Sequence, residues 1–189
     1  MNIKYVYKSR GEKKQKLTSL DEFCNQVKNC KYQKLCDSLK YKHGASINLE
    51  NTKLDETERL PHVFFSIGKD YTGLVMLSFR AEGGWADNYK FLASALPQTL
   101  LCFAGSSYRT LKIIVPFALP DGSLPTDDKV FFFKQKTAYE MAAKFYESEL
   151  GTQCEAVCPG IENGCCMSCD ESIFYNPNAV KMVVSEPYN

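Results

Sequence analysis

Five cysteines crowd one stretch near the end of the chain: Cys154, Cys158, Cys165, Cys166 and Cys169. Four thiolates at short spacings can hold a tetrahedral Zn²⁺, and Cys154, Cys158, Cys166 and Cys169 would supply them. The competing and preferred reading makes them small buried hydrophobes with no cofactor. The odd total of 9 cysteines and the adjacent pair Cys165-Cys166 do not suggest a disulfide framework. A second chemistry-bearing run is basic: Lys8, Arg10, Lys13, Lys14 and Lys16 around Gly11. It is expected to be a solvated turn, with a nucleic-acid contact as the lesser reading. Trp85, beside Gly83-Gly84, is expected to fold onto the core, base stacking being the alternative. His43 and His62 have no ligand partners at a telling spacing, and Cys102 sits in an apolar run that reads as core. No phosphate-binding Walker loop, Ser-His-Asp order or dinucleotide fingerprint appears.

These residues need a scaffold, and the hydrophobic pattern supplies one. Residues 3–7 alternate as a strand. Ser19-Leu-Asp-Glu22 is a capping box opening a helix that turns Phe23, Val27 and Cys30 to one side. A second helical stretch, 32–42, places Leu35 and Leu39 inward, and 43–59 is polar and weakly patterned, a loop with a short helix. Strands are expected at 60–66 and 71–79, then a turn at Gly83-Gly84 and a helix over 87–96 stopped by Pro97. Apolar runs at 99–104 and 111–117 form a hairpin with a polar tip. Thr126 or Asp127 caps a long helix ending at Leu150 before Gly151, with Val130, Phe133, Thr137, Tyr139, Met141, Phe145 and Leu150 available to the core. Strand and turn follow over 154–169, then a loop-rich tail. The order argues for an α+β fold with an RRM-like antiparallel or mixed sheet flanked by helices. It forms a single domain over 1–189, divided into an N-terminal strand and helical part (1–59), a sheet core (60–180) and a tail (181–189).

Composition sets limits. A chain of 189 residues buries roughly 70% of its unfolded surface and needs no metal or disulfide to fold. With 44% hydrophobic and 24% charged residues it is not a disordered chain. A net charge of +1 excludes a strongly basic, histone-like binder but leaves room for a local basic patch. The sequence holds no run long enough for a membrane helix and no apolar leader within 1–10, so the expectation is a cytoplasmic protein.

Several segments occur together in a telling order: the opening Ile-Lys-Tyr-Val-Tyr-Lys-Ser, the Leu-Pro-His-Val-Phe-Phe-Ser-Ile-Gly run at 60–68, Gly-Leu-Val-Met-Leu at 73–77, the hairpin tip at 107–112 and the 170–179 tail with Tyr-Asn-Pro-Asn-Ala. The set resembles the VirE N-terminal-type domain of Bacteroidetes, a primase-like clade of the archaeo-eukaryotic primase superfamily found on plasmids, mobilizable transposons and prophages. The resemblance implies an Asp-x-Asp pair at the end of the 73–79 strand, where two carboxylates would hold Mg²⁺ or Mn²⁺ against a nucleotide. Here those positions carry Ser78 and Arg80. It also implies a glycine-rich phosphate tip. Ser107, Leu111 and Lys112 match it, Tyr108 and Thr110 replace the glycines, and Arg109 adds a cation. An ordinary polar hairpin tip is the competing reading. It further implies an arginine in the strand before an Asp-Pro-x-x-Tyr tail; the arginine position aligns with Asn163, and in the tail Asp170 matches but Glu171 replaces proline. The resemblance also places 165–169 in a core strand, where alternation would separate Cys166 from Cys169.

The implied function is that of a primase-like pseudoenzyme of a mobile element. It would bind DNA or a replication or mobilization partner, such as a VirE-type helicase, with Ser107, Arg109 and Lys112 on phosphates. Two alternatives stand beside it. One is an active nucleotidyltransferase using Glu82, Asp87 or Asp170. The other is a protein-interaction module without nucleic-acid affinity.

Overall fold

The computed structural model describes residues 1–9, 12–42, 60–65, 72–81, 85–155 and 164–185. The fold is α+β, as expected, but its strands divide between two sheets instead of one. Sheet 1 joins β1 (Asn2–Ser9), β2 (Glu12–Ser19), β3 (His62–Phe64) and β7 (Gly164–Cys166) in the antiparallel order β2-β1-β3-β7. Sheet 2 joins β4 (Leu74–Arg80), β5 (Leu101–Ala104), β6 (Thr110–Ala118) and β8 (Phe174–Tyr175) in the antiparallel order β4-β6-β5-β8. The short β9 (Met182–Val183) lies parallel to the end of β6.

Period-two alternation decides what each face of sheet 2 meets. Leu74 and Met76 of β4, Leu101 and Phe103 of β5, and Ile114 of β6 face sheet 1. There they pack with Ile3, Tyr5, Val63 and Cys165, and with Phe23 and Val27 of α1 (Leu20–Lys28). The intervening residues Val75, Leu77, Phe79, Cys102, Leu111, Ile113 and Val115 face the other way. They meet α3 (Trp85–Ser94) and α4 (Asp128–Leu150). Sheet 2 is therefore the middle layer, covered on both faces. A smaller cluster under α2 (Gln33–Lys42) gathers Cys36, Leu39, Leu60 and Cys169.

The helix ends follow their local chemistry. Ser19 caps α1 by accepting from Glu22 N at 3.1 Å. Asp127 caps α4 through Lys129 N and Val130 N, each at 3.0 Å. Gly151, at φ 65°, ends α4 in the left-handed conformation that glycine adopts without penalty.

Three expectations are corrected here. The basic run expected as a turn belongs largely to β2, and Lys13, Lys14 and Lys16 lie on an exposed edge strand. The buried stripe of α4 is Phe131, Ala138, Ala142 and Tyr146, while Val130, Phe133 and Met141 are exposed. The apolar run 130–133 surrounds the helix, so its pattern marks no unique face; the two alanines let the helix approach the sheet. Trp85 opens α3 at 56% exposure, stacked on Tyr89 instead of folded onto the core. The loop expected over 43–59 and the turn at 83–84 lie outside the described residues.

Candidate functional site

On the face of sheet 2 turned toward sheet 1, the β4–β6 pairs are apolar up to Met76 and Ile114 and polar beyond. Ser78 lies opposite Lys112, and Arg80 opposite Thr110. Ser78 is fully buried. Lys112 Nζ donates to Ser78 Oγ at 2.7 Å, and Ser78 Oγ donates to Glu155 Oε2 at 2.5 Å. Glu155 reaches this point because the chain after α4 adds itself to the free edge of β4. Cys154 bridges Phe79, and Glu155 N donates to Ser78 O at 2.7 Å. Tyr139 of α4 holds the segment from behind, donating to Glu155 O at 3.2 Å. The result is a chain of cation, hydroxyl and carboxylate at the strand end, with Arg80 exposed beside it.

A hard divalent ion is held by several anionic oxygens. Here the first oxygen already receives an ammonium, and the next side chain on the same face is an arginine. At this strand end two cations, Lys112 and Arg80, stand with one carboxylate, Glu155. Burial pushes the Cys154 thiol up, opposed by the Tyr139 hydroxyl. Lys112 also faces sheet 1, where it lowers Cys165 and Cys166 against the larger upward effect of their burial.

The hairpin tip is pinned to the same strand end. Arg109 O accepts from Ala81 N at 2.8 Å, and Gly105 N donates to Thr110 O at 2.7 Å. A side chain at Gly105 would collide with Thr110. Tyr108 takes the left-handed backbone, φ 59°, that a glycine would favour. Its ring packs into the cluster under α2, with Lys40 Nζ 5.3 Å from the ring centroid, and burial pushes its hydroxyl up to about 12. Ser107 and Arg109 flank it, half-buried. The structure thus brings Lys112, Arg80 and the tip residues Ser107 and Arg109 to one end of sheet 2.

The other candidate acids lie elsewhere. Asp170 is buried and paired with Lys90 of α3, Nζ to Oδ1 2.9 Å and to Oδ2 2.8 Å. It also accepts from Ala104 N at 2.8 Å and Ser172 N at 3.0 Å. A carboxylate so committed is a structural clasp between α3, β5 and the tail. Asp87 is an exposed residue of α3, and Glu82 lies outside the described residues. Glu155 is the acid that sequence reading missed. It follows the helix stop by four residues and carries no motif; only the edge pairing brings it to Ser78.

The cysteine quartet drawn from spacing is dispersed. Cys154 lies on the α4 side of sheet 2, donating to Ser78 O at 3.4 Å, and Cys158 lies outside the described residues. Cys166 stands 3.5 Å from His62 Nε2, across the β3–β7 pair. Cys169 is joined to Cys30 in a disulfide that spacing gave no sign of, across a sequence separation of 139.

The sequence model of the BT4734-like N-terminal domain matches residues 68–175, more than half of the chain. The chain belongs to that family. No curated protein and no solved structure matches it. The BT4734-like region runs from before β4 to the end of β8, so it holds the whole β4-β6-β5-β8 path, both helices that cover it and the Ser78–Lys112–Glu155 chain. The strands β1, β2 and β3 of sheet 1 precede it.

Proposed function

We propose that this BT4734-like chain is a catalytically degenerate, primase-like protein of a mobile genetic element that grips DNA phosphates at the polar end of sheet 2. The observation that carries the reading is the 2.7 Å contact of Lys112 with Ser78, at the strand end where an active relative would carry its metal-binding acids. A fixed ammonium there, flanked by Arg80 and Arg109, suits phosphate oxygens and leaves no acidic pair for a metal ion. Phosphate contacts of this kind require no catalysis, so binding survives where polymerisation is lost. Fluorescence anisotropy of labelled single-stranded and primer-template DNA at two salt concentrations tests it. Salt-sensitive binding is expected, weakened in Lys112→Ala and Arg109→Ala, with the salt slope reduced by about 1 for each phosphate contact removed. The same preparation is expected to incorporate no nucleotides with Mg²⁺ or Mn²⁺. Absence of binding at low salt overturns the reading.

A specific surface favours a second reading, a protein-interaction module. Trp85, Phe91 and Leu92 of α3 are 56%, 75% and 44% exposed, and Phe132, Phe133 and Met141 of α4 are exposed as well. Association with protein partners and no DNA affinity at any salt would favour it.

A further inference from the structure

Two residues far apart in the chain carry strained backbone beside the cluster under α2. Cys30, at φ 49°, and Tyr108, at φ 59°, are the non-glycine residues in the left-handed region among those described. A side chain disfavours that region, and the conformation persists only where its surroundings hold it. Both residues pack against the cluster of Cys36, Leu39, Leu60 and Cys169. Cys30 is bonded to Cys169. Tyr108 stands in the tip of the β5–β6 hairpin, between Ser107 and Arg109. The residue after Cys169 also reaches the base of that tip. Asp170 N donates to Val27 O at 3.1 Å, and Asp170 Oδ2 accepts from Ala104 N at 2.8 Å, one residue before Gly105. The tip is thus supported twice, at Ala104 by the neighbour of Cys169 and at Tyr108 by the cluster that contains Cys169. Both supports lead to the bond with Cys30.

We propose that the Cys30–Cys169 disulfide is a redox switch for the 105–110 tip. Closed, it holds the tip in the conformation that grips phosphate; opened by thiol–disulfide exchange, it loosens the tip and weakens DNA binding. The effect on DNA rests on the phosphate-gripping role proposed above for Arg109 and Lys112. Cys30 is half-buried and Cys169 buried, so an incoming thiolate attacks the Cys30 sulfur. Cys169 leaves as a thiolate and takes up a proton. A second thiol of the same reductant then releases Cys30 from the mixed disulfide and closes to a disulfide of its own, so that two electrons and two protons enter the protein. A small-molecule disulfide reverses the exchange and departs as two thiols. Once the bond is open, nothing covalent keeps Cys30 at positive φ, and its relaxation loosens the cluster against which Tyr108 packs.

The test uses the full chain in two forms, oxidised with glutathione disulfide, or reduced with a dithiol that is then removed without air. Peptide mapping of the oxidised form is expected to show the Cys30–Cys169 link. Hydrogen exchange read by mass spectrometry follows the N–H groups of Ala104, Gly105 and Tyr108, each of which donates a hydrogen bond that holds the tip. Their exchange is expected to be about tenfold faster in the reduced form, with labelled single-stranded DNA bound about tenfold more weakly. Cys30→Ser should exchange like the reduced form whether or not oxidant is present. The comparison on the unaltered chain stands even if that variant does not fold. No Cys30–Cys169 link after oxidation, equal exchange in the two forms, a response to oxidant that persists in Cys30→Ser, or equal DNA affinity despite altered exchange each overturns the proposal. Slower exchange in the oxidised form with no DNA binding by either form upholds the switch on the tip and overturns the phosphate reading instead.

Discussion

Sheet 2 is buried on both faces, whereas sheet 1 ends in an exposed edge strand. Along β4 every residue from Leu74 to Phe79 is buried; along β2 every residue from Glu12 to Leu17 is exposed. Sheet 2 lies between sheet 1 with α1 on one side and α3 with α4 on the other. Sheet 1 ends in the exposed strand β2, and that edge is lysine-rich, a composition that discourages pairing with another chain. The family match falls on the doubly covered sheet and begins after β3. The comparison teaches where a side chain must be irreplaceable. In sheet 2 a polar group survives only with its partners in place, as Ser78 and Asp170 do, whereas on β2 a side chain answers mainly to water.

Removing a partner beside sheet 2 should therefore cost most. Asp170→Ala leaves the Lys90 ammonium buried and the Ala104 N–H without its acceptor. A loss of about 3–5 kcal/mol is expected in urea unfolding. A loss below 1 kcal/mol would mean that the clasp is open in solution and the contrast between the sheets overstated.

The boundary between the sheets gives a middle-sized effect. Burial pushes the Cys24 and Cys165 thiols from an ordinary 9.0 up to about 12 each, Asp21 adding to Cys24 and Lys112 opposing at Cys165. Below pH 9 folded and unfolded chains both hold these protons, and stability is unaffected. Above it the unfolded chain releases them while the folded chain keeps them, so stability falls as pH rises toward 12, by about 1.4 kcal/mol per unit for each thiol. Urea midpoints of the reduced chain at pH 8 and pH 10 should show the fall, and Cys24→Ala should make it shallower. An unchanged slope in that variant would place the sensitivity elsewhere.

The edge of sheet 1 should respond least. Lys13→Gln is expected to change stability by no more than about 0.5 kcal/mol. A larger loss would show that β2 carries contacts that its exposure conceals.

The same contrast explains what could be read from the chain. Strands of sheet 2 were legible because burial on both faces writes continuous apolar runs, as at 74–77 and 113–115. The ends of α1 and α4 were legible because Ser19, Asp127 and Gly151 act within one turn of themselves. The strand β2 was not, since an exposed edge strand needs no apolar residue at any position. At the site, Ser78, Arg80, Lys112 and the tip were reached through strand pattern and resemblance. Glu155 and the meeting of Cys30 with Cys169 were not, because both depend on segments far apart in sequence.

Sheet 1 takes its first three strands from the first 64 residues and its fourth from residues 164–166. A ribosome adding roughly 5–20 residues per second spends on the order of ten seconds between them. Throughout that interval the inner face of the β1–β2 hairpin, with Ile3 and Tyr5, has neither Cys165 nor the finished sheet 2 to cover it. The β1–β2 hairpin is thus made well before the residues that cover it, and lysines line its edge meanwhile.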